Sequence, residues 1–392
     1  MVRFSTLKKL ITLSSLILTH FGLFAQSGIF TEEEKKLEVR GYVKDLQSLT
    51  FSKDFDSLIT GNMIHNRVNM KWKPNSKLTG AAEFRTRLFW GEEVKYTPDF
   101  SSGIGYNQDL IDASFTWFET ESMLMQTYID RFWLEYQTGS WSARVGRQRI
   151  NWGISTIWNP NDIFNTYKFL DFDYEERPGR DAVKVRLNLG DMSHLEVAAA
   201  ASDQSQKSVF AVKYFTNKWN YDFQFSGGVY HEILTLGAGW AGSIKDAGLK
   251  GEIQYFAPHQ DSTSQVNLTL ESDYMFKGGW YLNLGFLLNS KGISGPVENW
   301  SLLDFQLSPQ SLMPTKWNTV FTVSKQITSL FNGTLTSIYS PGTNLLILLP
   351  SLQYNLATNL DIDFVWQSFY AEQDDIFEGV THRGFLRIKW SF

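Results

Sequence analysis

The chain has 392 residues, of which 43% are hydrophobic and 15% aromatic, and it contains no cysteine. The net charge of −5 argues against a nucleic-acid partner, and the lack of cysteine excludes disulfides and a lipid-modified N-terminal cysteine. Abundant aromatic residues with a mean hydropathy of only −0.24 fit a membrane β-barrel, which carries aromatic girdles outside and polar side chains inside.

The N-terminus has the pattern of an export signal. A basic start precedes the apolar run 10–24, which ends at the small residue Ala25. The run is shorter than the roughly 20 residues that a membrane-spanning helix needs, so we predict a cleaved signal peptide over 1–25 in preference to an anchor helix. The charged stretch 26–37 is predicted as a periplasmic tail, and 38–392 as one outer-membrane β-barrel.

From residue 38 onward, apolar and polar residues alternate in segment after segment. This period of two is typical of strands with one face in lipid and the other in water. The predicted strands are 38–51, 61–73, 77–91, 127–138, 140–152, 181–189, 193–202, 206–216, 219–230, 232–244, 247–256, 266–276, 280–290, 316–326, 330–340, 344–356, 359–371 and 382–392. They number about 18 (16–18), and an even number is usual for bacterial single-chain barrels.

The links between these strands alternate in length. Tight turns rich in Gly, Asn, Asp and Pro are interleaved with longer loops, which are 92–126, 153–180, 257–265, 291–315 and 372–381. This predicts an all-β, antiparallel up-and-down transmembrane barrel with periplasmic termini and turns, and with long extracellular loops partly folded into the lumen.

The polar face of the strands predicts the lumen lining, because a charge that faces lipid at mid-membrane costs roughly 2–4 kcal/mol. The last strand must pair with the first, so their basic residues and those of neighbouring strands should form one arc. The predicted basic lining is Arg67, Lys71, Arg85, Arg87, Arg144, Lys184, Arg186, Arg383, Arg387 and Lys389. The opposite wall is predicted to be acidic or neutral, with Asp222, Glu252, Glu271, Asp273, Asp361 and Asp363. Facing arcs of opposite sign would select polar or charged solutes. Alternatively, the charges are simply hydrated side chains on the wall of a water-filled lumen.

One segment does not alternate cleanly. Arg144, Arg147 and Arg149 cannot all face inward without a bulge, and Gly146 is the predicted place for one.

The stretch that follows, 144–181, is long and mixes aromatic with charged residues. This composition argues against disorder and predicts that the loop packs inside the barrel as a constriction or over the mouth as a plug. Its predicted constriction residues are Trp152, Trp158, Asp162, Glu175, Glu176 and Arg177. Several alternatives stay open: the arginines pin the loop by pairing with the two glutamates, Asp162 makes turn hydrogen bonds, and the tryptophans either pack or stack on sugar rings.

Two features resemble known families. The amphipathic strand 382–392, which ends on Phe392, resembles the C-terminal signal of bacterial outer-membrane barrels; this implies a Gram-negative outer membrane, contact with its lipid, and recognition by the barrel-assembly machinery. The pattern GRQ-x-I-x-WG…WNP-x-D…EERPG-x-DA resembles porin-like barrels of Bacteroidetes and Proteobacteria, broadly similar to the alginate-export and related porin families. That resemblance implies passage of small solutes or polysaccharide.

We therefore expect a porin or channel for passive or facilitated diffusion of a small hydrophilic solute or oligosaccharide. The alternative is an outer-membrane component of a polysaccharide-export or envelope-assembly machine. An enzyme is not expected, because the six histidines are scattered and lie beside no convincing serine motif. No metal or other cofactor is expected either.

Overall fold

The computed structural model describes residues 36–105, 109–166, 170–173, 177, 179–260, 262–296, 307–373 and 375–392. The predicted signal peptide, nearly all of the predicted tail, and both Glu175 and Glu176 lie outside these ranges, so those expectations stay predictions. Within the described ranges, no helix is long and apolar enough to cross a membrane.

The described chain is almost entirely β-structure, in nineteen strands. The first ten are β1 (Leu37–Ser52), β2 (Leu58–Trp72), β3 (Leu78–Gly91), β4 (Ser114–Thr120), β5 (Met123–Thr138), β6 (Trp141–Gln148), β7 (Arg180–Gly190), β8 (Ser193–Ala200), β9 (Val209–Lys218) and β10 (Tyr221–Tyr230). The others are β11 (Ile233–Ile244), β12 (Ala247–Phe256), β13 (Gln265–Met275), β14 (Trp280–Asn289), β15 (Trp317–Thr328), β16 (Phe331–Ser340), β17 (Leu345–Ala357), β18 (Leu360–Gln373) and β19 (Ile376–Ser391). Short helices α1 (Glu92–Tyr96) and α2 (Phe100–Gly105) and a 3₁₀ turn (Ser205–Lys207) lie in the loops.

Eighteen of these strands form a closed antiparallel barrel. Each strand pairs with its neighbour in sequence, and β19 returns to pair with β1. The seam continues to the last residue, since Gly41 and Phe392 exchange two backbone hydrogen bonds of 2.9 Å. Strand β4 is not part of the closed ring, because β3 pairs directly with β5. Strand β4 pairs only with the N-terminal part of β5. The predicted fold class and strand number are confirmed.

The tight turns follow from local backbone preferences. Trp219 and Asn220 join β9 to β10 with φ angles of 57° and 61°, the twisted geometry that two-residue hairpin turns favour. The sequence placed this turn two residues earlier, at Asn217-Lys218. We call this side of the barrel the short-turn end, and the opposite side, with segments such as 149–179 and 290–316, the long-loop end.

Strand β6 differs from the prediction in two ways. It ends at Gln148, not at 152, and its pairing with β5 and β7 shows no register shift. Gly146 does have a positive φ of 113°, but the strand keeps its alternation, so Arg147 lies on the opposite face from Arg144. The predicted bulge is therefore wrong. Arg147 is held instead by Asp181, at 2.9 Å.

The two faces of the wall differ as a membrane barrel requires. Outward side chains such as Phe132 (66% exposed) and Leu284 (59%) form an apolar belt, while inward residues such as Arg67 and Glu252 are buried and polar. Closed barrels satisfy every strand hydrogen bond without water, which is why they can cross a bilayer. The chain is an integral barrel of the outer membrane, as predicted.

Candidate functional site: a loop across the lumen

After β6 the chain leaves the wall and crosses the interior before it returns as β7. We call residues 149–179 the constriction loop; 149–166, 170–173, 177 and 179 of it are described. The start of the loop is fixed by side chains that replace strand hydrogen bonds. Gln148 Nε2 donates to the carbonyl of Ala182 at 2.9 Å, and Asn165 Oδ1 accepts the backbone N–H of Ile150 at 2.9 Å.

One buried carboxylate on β12 anchors the near side of the loop. Glu252 is fully buried. Its Oε1 accepts the backbone N–H groups of Ile154 (2.5 Å) and Ser155 (2.6 Å), and its Oε2 accepts that of Asn161 (2.9 Å). Hydrogen bonds to a charged acceptor are stronger than neutral ones, and buried backbone donors need partners. Glu252 therefore holds a turn of the loop by three backbone contacts.

Neighbouring wall residues reinforce this anchor. Glu271 on β13 accepts the backbone N–H of Thr156 at 2.7 Å, and Gln224 on β10 donates to the carbonyl of Trp152 at 2.6 Å. Asn161 in turn donates from Nδ2 to the Ala238 carbonyl of β11 at 2.9 Å. Four consecutive strands, β10 to β13, therefore each form a hydrogen bond with the loop.

The far side of the loop is held by the opposite wall. Asp173 lies 2.6 Å from Lys44 Nζ on β1 and 3.0 Å from His65 Nδ1 on β2. Burial alone would raise the pKa of Asp173, but the hydrogen bond from His65 and the charge of Lys44 hold that pKa well below its usual range. The loop therefore bears an ionised carboxylate clamped between two strands.

Strands β18 and β19 add further contacts at this far side. Gln367 Nε2 donates to the carbonyl of Leu170 at 3.0 Å. The ring of Phe172 lies 5.6 Å from that of Phe385 and under the guanidinium of Arg387, at 4.6 Å. The constriction loop thus contacts inward-facing side chains on both sides of the barrel, and so it spans the lumen.

Inside the loop, Asp162 and Arg177 form an ion pair. Arg177 also donates to Asn151 Oδ1 at 2.8 Å, and its carbonyl accepts from Arg131 of β5 at 3.2 Å. Burial raises the pKa of Asp162 to about 6, against the opposing charge of Arg177. The predicted turn role of Asp162 has support, since its backbone N–H donates to the carbonyl of Asn159 at 3.2 Å. Its Oδ1 also accepts the backbone N–H of Trp152, ten residues earlier, at 3.3 Å.

The two loop tryptophans pack against protein. Trp152 and Trp158 are each only 2% exposed. Trp152 meets Phe164 edge to face at 5.0 Å, and Trp158 joins an apolar cluster that includes Leu312 and Met313. Because no ring face is open to solvent, the packing alternative holds and stacking on sugars is excluded in this conformation.

A second segment, 307–316, also turns inward. Gln265 and Asn267 of β13 donate to the carbonyls of Gln310 (2.5 Å) and Pro309 (2.6 Å). Asn289 of β14 donates to the carbonyl of Met313 at 3.0 Å. The sequence predicted a long loop here but not which wall it meets.

The predicted basic arc is interleaved with carboxylates. Arg67 forms ion pairs with Asp130 and with Glu83, and Arg85 pairs with Asp130 at 3.0 Å. Further along the wall, Arg144 pairs with Glu135 at 2.8 Å. Likewise, Lys184 lies 3.7 Å from Glu196 on the next strand. Much of the positive charge on this side is therefore balanced within the wall.

The predicted acidic wall needs a correction at β18. Asp361 and Asp363 are cross-strand partners of Lys389 and Arg387 on β19, and Arg387 Nη2 lies 2.8 Å from Asp363. These two aspartates therefore sit beside the basic strand, not across the lumen from it. Consecutive strands are neighbours in an up-and-down barrel, so the predicted topology itself places 359–371 beside 382–392, and the expected position on the opposite wall is wrong. Asp222 of β10 is on the other side and accepts from Asn217 at 2.8 Å.

Four other predicted cations, Lys71, Arg87, Arg186 and Arg383, show no ion pair with any described carboxylate. Arg87 lies over the ring of Phe89 at 5.1 Å. Arg186 donates to Asn188 Oδ1 at 3.0 Å, and Arg383 is exposed opposite Gln367. Lys71 is exposed near the short-turn end. Lys389 lies over the Tyr42 ring at 4.7 Å. These side chains are candidates for contact with a solute.

Sequence analysis missed the residues that hold the loop. Lys44 occupies an inward position of the predicted strand 38–51, and alternation could have placed it in the lumen. Glu252 was expected only to line the wall. Their partners in the loop lie 129 and about 100 positions away, a separation at which local sequence patterns carry no pairing information.

Fold and lumen together define a class: the chain is a porin-like transmembrane β-barrel. No protein-family model matches it, and no curated protein matches its sequence. Solved structures do share the fold. OccAB4 of Acinetobacter baumannii superposes with a TM-score of 0.58 at 9% identity, over 92% of this chain and 100% of that one. OccK9 of Pseudomonas aeruginosa gives 0.60 at 9% identity, over 91% and 99%. At such identities the likeness shows the fold alone.

Proposed function

We propose that this protein is a non-enzymatic outer-membrane channel through which small hydrophilic solutes diffuse. The observation that supports this most is the lumen itself. Its wall carries charged and amide side chains on many strands, and a loop fastened at both sides narrows it. Charged and amide side chains on the inner face of so wide a barrel are typical of a lumen that contains water.

The loop is the proposed selective element. Hydrogen bonds from backbone N–H groups of the loop to Glu252, together with the clamp at Asp173, keep the loop in one position, so the remaining passage has a fixed shape. Fixed polar groups in a narrow passage favour solutes that can replace their hydration with hydrogen bonds. Passive diffusion is the simpler mode, and facilitated diffusion would require a binding step at these groups.

Liposome swelling tests the proposal. Purified barrels in liposomes should admit small neutral sugars, with a rate that falls steeply as the sugar grows. Barrels heated to unfold before reconstitution are the control. Equal swelling with and without folded barrels would overturn the proposal.

The alternative is a component of a polysaccharide-export or envelope-assembly machine, for which the second inward segment, 307–316, is the favouring observation. Two segments in one lumen leave less space for free diffusion. Folded barrels that admit no sugar of any size would support this alternative. The sequence pattern that resembles alginate-export and Bacteroidetes porin families supports the proposed passage of small solutes or polysaccharide.

A further inference from the structure

Four adjacent strands, β14 to β17, present an uncharged polar surface to the half of the lumen nearer the short-turn end. We call it the neutral track; its members are Tyr281, Thr322, Ser324, Gln326, Asn332, Thr334, Thr336, Ser351 and Gln353. Their inward direction follows from alternation. Val320 and Ile338, on the same faces of β15 and β16, are buried inside the barrel, whereas Leu335 on the other face is exposed.

Register makes the neutral track continuous across the four strands. Two rows of cross-strand partners run through it, Tyr281–Ser324–Thr334–Ser351 and, nearer the short-turn end, Gln326–Asn332–Gln353. The long-loop half of the same wall is different, because Val320, Ile338 and Ile347 are packed there in the apolar cluster that contains Trp158. The neutral track therefore begins where the packing of the loops ends.

The neutral track carries no charge, unlike the wall on either side of it. In β14 to β17 the single charged residue is Lys325, which points outward and lies over the ring of Trp280 at 4.7 Å. The flanking strands bring charges back into the lumen, with Glu271 on β13 and Asp363 on β18. A wall without charge does not concentrate counter-ions, so this part of the lumen is not adapted to ions.

The hydroxyls of the neutral track pair with each other, whereas its glutamines stay open. Thr322 and Thr336 share a hydrogen bond of 3.0 Å between their hydroxyls. The amides of Gln326 and Gln353 form no side-chain hydrogen bond with any residue that the structure describes. Together with Asn332 they line a hollow of about 440 Å³. A water molecule in the liquid occupies roughly 30 Å³, so the hollow has room for a small solute.

Tyr281 places an aromatic ring at the edge of the neutral track. Its side chain is partly buried, and no ring in the described part of the chain stacks on it. An aromatic ring offers an apolar face, and Tyr also carries a polar hydroxyl. A ring face beside amides and hydroxyls suits a solute that has both C–H surfaces and hydroxyl groups.

We propose that the neutral track is a binding site for uncharged, hydroxyl-rich solutes such as sugars and polyols. This inference rests on the proposed function, because a binding site in the lumen serves transport only if the lumen is open. Amides and hydroxyls both donate and accept hydrogen bonds, and so do the hydroxyls of such a solute. A carboxylate-bearing solute gains more from the basic arc, where charge-assisted hydrogen bonds are available. The lumen thus offers separate surfaces to neutral and to anionic solutes.

Uptake of two matched probes tests this inference: glucose, and gluconate, which has the same carbon chain and a carboxylate. Folded barrels are reconstituted in liposomes, and initial uptake is measured over rising probe concentration. We expect glucose uptake to saturate. Gln353→Leu keeps the size of the side chain but removes the amide, and it should raise the half-saturating glucose concentration about threefold to tenfold. Gluconate uptake should not change.

Gln137→Leu is the matched control. Gln137 is an exposed glutamine near the short-turn end of β5, on the same inward face as Glu135, so the same substitution falls on a charged wall and should leave glucose uptake unchanged. Tyr281→Leu should weaken glucose saturation, whereas Tyr281→Phe keeps the ring and should retain it. Heat-sensitive gel mobility shows that each variant folds.

The outcomes separate the neutral track from the channel itself. Glucose uptake that rises linearly with concentration and is unaffected by Gln353→Leu, while ions and gluconate still pass, would overturn the neutral track alone. Equal effects of Gln353→Leu and Gln137→Leu would also overturn it. Folded wild-type barrels that pass neither probe and carry no ionic current would overturn the proposed channel and the neutral track together.

Discussion

At the residue scale, Glu252 anchors the constriction loop by accepting three of its backbone N–H groups. The sequence shows a glutamate at an inward position of a strand, which is enough to place it in the lumen. It does not show that the carboxylate meets three backbone N–H groups from a loop about a hundred residues earlier. The inward position of Glu252 follows from alternation along the strand, whereas the identity of its hydrogen-bond donors depends on tertiary packing.

Replacing this anchor should loosen the loop. Glu252→Ala leaves three buried backbone donors without their acceptor, at about 1–3 kcal/mol each. We expect the loop to leave its position part of the time, with larger and noisier single-channel currents. Asp273→Ala is the matched control, because Asp273 faces inward on β13 and pairs with Lys250 at 3.5 Å but has no contact with the described loop. Quiet, unchanged currents in Glu252→Ala would contradict the anchor role.

Asp162 should make the loop sensitive to pH. Its pKa in the folded protein is about 6, raised from 3.8, so the docked loop favours the protonated form. The stabilisation of the docked loop by protonated Asp162 is fully present below about pH 4 and is lost as the pH rises through 6. Docking should therefore be more stable at pH 5 than at pH 7, by about 1 kcal/mol.

Current fluctuations at the two pH values measure this difference. In wild type we expect fewer excursions at pH 5 than at pH 7. Asp162→Asn cannot ionise and should show the same fluctuation rate at both. A wild-type channel with the same rate at both values, or an Asp162→Asn channel that keeps the wild-type pH dependence, would argue against this assignment.

At the element scale, the strands follow directly from periodicity. Each of the eighteen barrel strands overlaps a predicted strand, because each must present one apolar face to lipid. The predicted long loop 372–381 is wrong, since β18 continues to Gln373 and β19 already begins at Ile376. Strand β4 was missed, since the seven residues from Ser114 to Thr120 are short and flanked by loop-like sequence. The end of β6 was misjudged because alternation continues briefly after Gln148, where the chain already turns into the lumen.

Gly146 is the element-scale test of how β6 is built. Its φ of 113° disfavours any side chain, and an added Cβ would lie 2.3 Å from the carbonyl oxygen of Phe132. Gly146→Ala should therefore destabilise the barrel by a few kcal/mol, about 1–3 from the backbone alone. The temperature at which the heat-sensitive gel band disappears should fall.

Gly295→Ala is the control for this change. Its added Cβ would meet nothing within 4 Å, so its transition should match wild type. A Gly146→Ala barrel as stable as that control would show that β6 adopts another backbone conformation.

At the scale of the whole molecule, the arrangement of charge separates what the sequence predicts from what it does not. It predicts that one arc of strands, β19 through β7, is rich in Arg and Lys, and the structure places those strands side by side. It does not predict that Glu83, Asp130, Glu135 and Glu196 neutralise much of this arc. Such pairs depend on register, and one residue of slip moves a side chain to the other face.

The central claim is a water-filled passage lined by charges and narrowed by the constriction loop. Single-channel conductance in a planar bilayer, with anion-to-cation selectivity, tests it most directly. We expect a stable ionic conductance whose selectivity shifts toward cations in Arg383→Glu, because Arg383 is exposed in the lumen and has no ion pair with a described carboxylate. Lys277→Glu, in the turn between β13 and β14, should leave selectivity nearly unchanged. No conductance from folded barrels, or equal shifts in both variants, would contradict the account.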